Sequence, residues 1–155
     1  MTNFHGCRFT AEGAILTLNP DNREIIVKAK TKDGSAIVVE GCNETELANE
    51  AETTLTVTNP ERKLALIGEL TELNCRGSED TSNRSLVALD VSGCTALQKL
   101  DCAKNQLTAL NVQGLTALQK LYCSENQLTA LNVQGLTSLQ KLYCSYNQLT
   151  ELNVQ

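Results

Sequence analysis

Residues 86–148 are one 21-residue phrase written three times without a gap: LVALDVSGCTALQKLDCAKNQ (86–106), LTALNVQGLTALQKLYCSENQ (107–127) and LTALNVQGLTSLQKLYCSYNQ (128–148). A partial copy, LTELNVQ, follows over 149–155. A unit this short cannot bury an apolar face alone, so each copy must stack on its neighbours, and this period excludes most other architectures. A half-copy precedes the array over 70–85, because Leu70, Leu73 and Cys75 hold the same positions. There RGSEDTSNRS (76–85) is six residues longer than the equivalent AKNQ (103–106), which predicts a surface loop inserted at the first coil.

Leu97, Leu100, Cys102, Asn105 and Leu107 fill the pattern L-x-x-L-x-L-x-x-N-x-L, with cysteine replacing the third leucine. Leu118, Leu121, Cys123, Asn126 and Leu128 repeat it, as do Leu139, Leu142, Cys144, Asn147 and Leu149. This is the leucine-rich repeat pattern. Alternation in KLYCS points Leu121 and Cys123 inward and Lys120, Tyr122 and Ser124 outward. The same alternation in ALNVQ buries Leu110 and Val112 on a second extended side, before a turn at Gly114 or Gly135. No segment of a repeat shows the helical period. The expected fold is a β-rich solenoid: a short right-handed superhelix of 21-residue coils with a parallel β-sheet on its concave side.

Two columns are structural expectations. Asn105, Asn126 and Asn147 are placed to bond backbone groups that a sharp turn leaves without partners, which explains them better than ligand binding does. Four of the seven cysteines, Cys75, Cys102, Cys123 and Cys144, share one inward position, and Cys94 stands where Leu115 and Leu136 stand. Cysteine in a leucine's place behaves as a small hydrophobe. In-register strands hold Cβ atoms about 4.8 Å apart, beyond the ~3.8 Å a disulfide prefers, so reduced and inert thiols are expected. A linear column does not converge on a metal, and no cofactor is implied. Cys7 and Cys42 lie outside the repeats and can pair, stay free or help bind a metal. His5, the sole histidine, sits near Cys7, but an N-terminal segment is a poor place for a nucleophile and base.

Residues 1–62 follow another grammar. AILTL, EIIVKAK, SAIVVE and TTLTV are strand-like runs separated by NPDN, KDGS and TNPE. They predict a small antiparallel β cap over the first coil, with hairpin turns at Asn19–Asn22 and Lys32–Ser35 and a helical turn within Glu44–Glu52. The repeat domain then occupies 63–155, with KLALIGELTELNC (63–75) as the seam.

The net charge is −5, carried by residues 1–85, where 9 Lys or Arg face 14 Asp or Glu; residues 86–155 carry 4 of each sign. Without a basic stripe or interleaved aromatics, nucleic acid is not an expected partner. Glu40, Glu44, Glu46, Glu50 and Glu52 read as a solvated face, with calcium binding the lesser alternative for want of a spaced D-x-D-x-D loop. No run approaches 18 apolar residues and the N-terminus lacks a secretory pattern, which suits a cytoplasmic protein or one whose signal was removed. Asn43 and Asn83 stand in glycosylation sequons.

The motif LxxLDVSxCTALQKLDCxxNQ, preceded by a β-rich segment running into IxGELTELNC, resembles the cysteine-bearing, internalin-like leucine-rich repeat surface proteins of bacteria, of the Bacteroidetes type. The resemblance covers residues 63–155 strongly and the cap loosely. It implies a cell-surface or secreted adhesion protein, with cytoplasmic residence the alternative. Such proteins commonly carry many more copies than three.

Outward positions form columns: Glu72, Lys99, Lys120, Lys141; then Asn74, Asp101, Tyr122, Tyr143; then Arg76, Ala103, Ser124, Ser145; Tyr146 adjoins at the turn. Tyr122 and Tyr143 are expected neighbours, suited either to a binding hot spot or to simple stacking on an exposed sheet. Four short strands present only a few hundred Å2, against ~800 Å2 per partner in a stable complex. The expected function is non-enzymatic recognition of a protein or glycan, with Lys99, Asp101, Lys120, Tyr122, Lys141, Tyr143 and Tyr146 as the surface. The alternative is an assembly element that forms an end-to-end homodimer through Leu149, Leu152 and Val154.

Overall fold

The computed structural model describes residues 12–81 and 84–154. The N-terminal strands are β1 (Gly13–Leu18), β2 (Glu24–Thr31), β3 (Ile37–Glu40), β4 (Glu46–Leu47), β5 (Thr53–Thr56) and β6 (Lys63–Ile67). The repeats contribute β7 (Leu70–Asn74), β8 (Leu86–Asp90), β9 (Lys99–Asp101), β10 (Lys120–Tyr122), β11 (Ala130–Asn132), β12 (Lys141–Tyr143) and β13 (Glu151–Asn153). Among the described residues there is no α-helix, and no helix long and apolar enough to cross a membrane. The four strand-like runs of the N-terminal segment are β1, β2, β3 and β5. In β2 the alternation is nearly strict: Ile25, Val27 and Ala29 are buried while Ile26 and Lys28 are exposed.

Two sheets organise the chain, in the orders β4-β3-β6-β1-β8 and β12-β10-β9-β7-β2-β5. Successive strands β1 and β2 therefore belong to different sheets, as do β2 and β3. The turns at Asn19–Asn22 and Lys32–Ser35 are arches between sheets, not the expected hairpins. The turn chemistry itself is present, since Asn19 Oδ1 accepts the N–H groups of Asp21 and Asn22 at 3.0 and 2.9 Å. Each strand has one apolar face, and the chain folds over so that those faces meet. Glu44–Glu52 is not a helical turn either: β4 pairs with β3, and Asn49 Oδ1 takes the Thr31 N–H at 2.8 Å.

In the longer sheet β7, β9, β10 and β12 are parallel and in register, so that Leu73, Leu100, Leu121 and Leu142 align across the strands. The sheet as a whole is mixed rather than parallel, because β2 runs antiparallel to β7 and β5 antiparallel to β2. A first repeat strand left open would expose a row of unpaired backbone groups, and β2 satisfies them. On the other side β1 pairs antiparallel with β8. Leu110 and Val112 are buried as their alternation requires, yet residues 109–113 belong to no strand, and only β11 and β13 pair there. The result is a β-rich repeat fold with one continuous apolar core from Ala14 to Leu136.

Candidate functional site

The outward face of the longer sheet collects the columns noted in the sequence. Register aligns Lys30, Glu72, Lys99, Lys120 and Lys141 in one row. A second row holds Lys28, Asn74, Asp101, Tyr122 and Tyr143. The rings of Tyr122 and Tyr143 stack with centroids 5.0 Å apart and planes 8° from parallel. Lys99 Nζ lies 5.9 Å from the Tyr122 centroid, giving the order ammonium, ring, ring, with the last ring half exposed. Asp101 is held by Arg76 at 3.5 Å.

Tyr146 is not in this stack. It occupies the turn with φ +55°, as do its equivalents Lys104 (+59°) and Glu125 (+56°), and its side chain is 81% exposed. The left-handed conformation recurs at the residue before each ladder asparagine, which fixes its position on the turn.

Lys28 and Lys30 join this face although the repeat pattern gave no reason to include them. Their signal was local, the alternation KAK within EIIVKAK; what it lacked was the identity of the sheet edge that β2 would join. A cleft of about 100 Å3 opens where β2 meets the repeats, lined by Lys28, Lys30, Glu50, Glu72, Asn74 and Lys99 among others. A second ionic group was also not foreseen. The inserted loop folds back on the repeats, where the nearly buried Lys104 ammonium pairs with Glu79 and lies 3.8 Å from Glu125, which also accepts from Arg84 at 2.9 Å.

The asparagines bond to backbone. Asn126 Nδ2 donates to the carbonyls of Cys102 (3.0 Å), Cys123 (3.1 Å) and Ser124 (3.4 Å), while Oδ1 accepts the Leu107 N–H at 3.0 Å. Asn105 and Asn147 make the equivalent four contacts one repeat to either side. Cys75, Cys94, Cys102 and Cys123 are buried and free; Cys42 and Cys144 are free and half-buried. Cys7 and His5 lie outside the described residues. Among the described residues no group of three or more His, Cys, Asp or Glu side chains is placed to hold a metal.

Burial raises every one of these thiols above the ordinary 9.0, Cys94 and Cys123 to about 12 and Cys102 well above its usual value. The thiolate is the reactive form. In a Cys7→Ala chain at pH 8, Ellman's reagent is therefore expected to titrate Cys42 and Cys144 in the native state and the other four only in urea. Because the folded values are the higher ones, the stability they carry is intact below pH 9 and drains as pH rises beyond it. Prompt native labelling of Cys102 would show that the interior is open to water.

Residues 116–154 match the leucine-rich repeats family model, in 2 copies. No curated protein and no solved structure matches the chain. Residues 116–154 are thus similar to leucine-rich repeats, units that commonly serve as protein-interaction modules.

Proposed function

We propose that this chain is a non-enzymatic recognition module, a cell-surface or secreted adhesion protein of solenoid type, and that it binds a protein partner through the outward face of the longer sheet. The observation that carries the reading is the stack of Tyr122 on Tyr143 beside Lys99, with Lys120 and Lys141 in the adjoining row. Large amphipathic rings held rigid in a row supply contact area at small entropic cost. The N-terminal strands enlarge the face, since the sheet has six strands rather than the four the repeats supply. At about 4.8 Å per strand it still offers less than the ~800 Å2 typical of a stable partner, which favours weak or multivalent contact.

The test is affinity capture from an extract of the source organism with three chains: the parent, Tyr122→Ser/Tyr143→Ser, and Gln134→Ala/Thr137→Ala at exposed turn positions outside the strands of that face. A partner lost only by the tyrosine variant supports the reading; one retained by all three removes the face from it. A second reading, assembly through the C-terminal edge, draws on Leu152 and Val154, 44% and 62% exposed. Sedimentation of the same preparations separates the two, because a monomer at high concentration eliminates assembly.

A further inference from the structure

The outward face carries charge of the opposite sign to the whole chain. Lys28, Lys30, Arg76, Lys99, Lys120 and Lys141 stand there against Glu24, Glu50, Glu72 and Asp101, in a protein of net charge −5. Asp101 is already engaged by Arg76, and Lys30 by Glu50 at 3.9 Å. Among the described residues no carboxylate comes within ion-pair distance of Lys99, Lys120 or Lys141. Parallel, in-register pairing sets these three one strand spacing apart, the arrangement in which like charges oppose folding. The remaining outward positions of those strands are Asp101 and the two stacked tyrosines, so the strands themselves supply little to neutralise the row.

We infer that this face binds an extended acidic segment of a partner protein, whose carboxylates lie along the row of Lys99, Lys120 and Lys141 and whose backbone and apolar groups rest on Tyr122 and Tyr143. The inference rests on the recognition reading above and specifies its ligand. An extended chain repeats its side chains on one face about every 6.8 Å, and lysine stems are long and flexible enough to bridge that repeat to a strand spacing of about 4.8 Å. The tyrosine hydroxyls donate and accept, as a peptide backbone requires. The cleft lined by Lys28, Lys30 and Lys99 together with Glu50 and Glu72 continues the row toward the N-terminal strands. Association is steered by charge and weakens as salt rises.

The experiment is calorimetric titration of the full chain with a deca-glutamate peptide, deca-lysine and polygalacturonate, at low and physiological salt. Two variants accompany it: Lys99→Gln/Lys120→Gln/Lys141→Gln, and Lys32→Gln/Lys63→Gln as a control of equal charge sign. Saturable deca-glutamate binding, weakened about tenfold or more by the triple variant and far less by the control, is expected. The triple variant should melt close to the parent, because relief of like-charge repulsion offsets the lost Lys99–Tyr122 contact, and this excludes unfolding as the cause of lost binding. Equal deca-glutamate binding by parent and triple variant overturns the inference. Polygalacturonate binding without deca-glutamate binding overturns it in favour of an acidic glycan. If neither acid binds while the tyrosine variant still loses its captured partner, the acidic ligand is wrong and the recognition face stands.

Discussion

Replacing Asn126 by alanine is expected to remove about 3–5 kcal/mol, a large part of the ~5–15 kcal/mol by which single domains are stable. The amide is buried and bonds four backbone groups in two successive repeats: the carbonyls of Cys102, Cys123 and Ser124 and the N–H of Leu107. Alanine leaves them without that partner in the turn, and a buried unsatisfied polar group costs about 1–3 kcal/mol. The cost is not four times that figure, because carbonyls with a second partner lose less and the turn relaxes. Asn147→Ala gives the internal comparison. Its contacts are the same in kind but part-buried, so water replaces the amide and the loss should be nearer 1–2 kcal/mol. Asn126→Asp retains the acceptor but turns a carboxylate toward three carbonyls, and should cost at least as much as alanine. Urea unfolding of the three variants decides the matter: Asn126→Ala within 1 kcal/mol of the parent, or less damaging than Asn147→Ala, would mean that the amides fill space rather than tie repeats together.

The asparagines were legible in the sequence because their function is periodic. A residue recurring every 21 positions beside alternating leucines occupies the same place in each copy, whatever its neighbours do. The adjacency of Tyr122 and Tyr143 follows from the same offset, as does the alignment of Lys99, Lys120 and Lys141. What the period could not reveal is how a strand without a repeat chooses its partner. Lys28 lies opposite Asn74, far along the chain, and nothing in EIIVKAK distinguishes the edge of β7 from that of any other strand. For the same reason NPDN and KDGS read as hairpins: an Asx turn reverses the chain equally well within one sheet or between two. Lys28 and Lys30 were consequently missed, and the face was underestimated by two strands. The inserted loop was underestimated too. Its composition, RGSEDTSNRS, signals only solvent exposure, because the groups that dock it, Lys104 and Glu125, belong to the two following repeats.

That docking depends on one glycine, and Gly77→Ala is expected to destabilise the chain by about 2–4 kcal/mol. A Cβ at Gly77 would overlap the carbonyl oxygen of Lys104 and crowd the Arg84 side chain. The N–H of Gly77 donates to the Ala103 carbonyl at 2.9 Å, so the backbone is held at the very place where the added carbon has no room. The Lys104 carbonyl is backbone and cannot rotate aside as a flexible side chain would. The loop must lift. Lifting breaks the Gly77 bond, pulls Glu79 from Lys104 and strains the 2.9 Å contact of Arg84 with Glu125. Lys104 is then left with Glu125 alone, its side chain only 9% exposed, and a buried charge losing a partner is costly. Gly114→Ala separates this effect from backbone preference. Gly114 has φ +84° and nothing within 4 Å of an added Cβ, so alanine there meets only the left-handed penalty of about 1–2 kcal/mol. Unfolding midpoints and limited proteolysis at 76–85 read both variants. Gly77→Ala should be the less stable and the more rapidly nicked; if it resists protease like the parent, the loop does not depend on that close approach and the ionic group at Lys104 holds it alone.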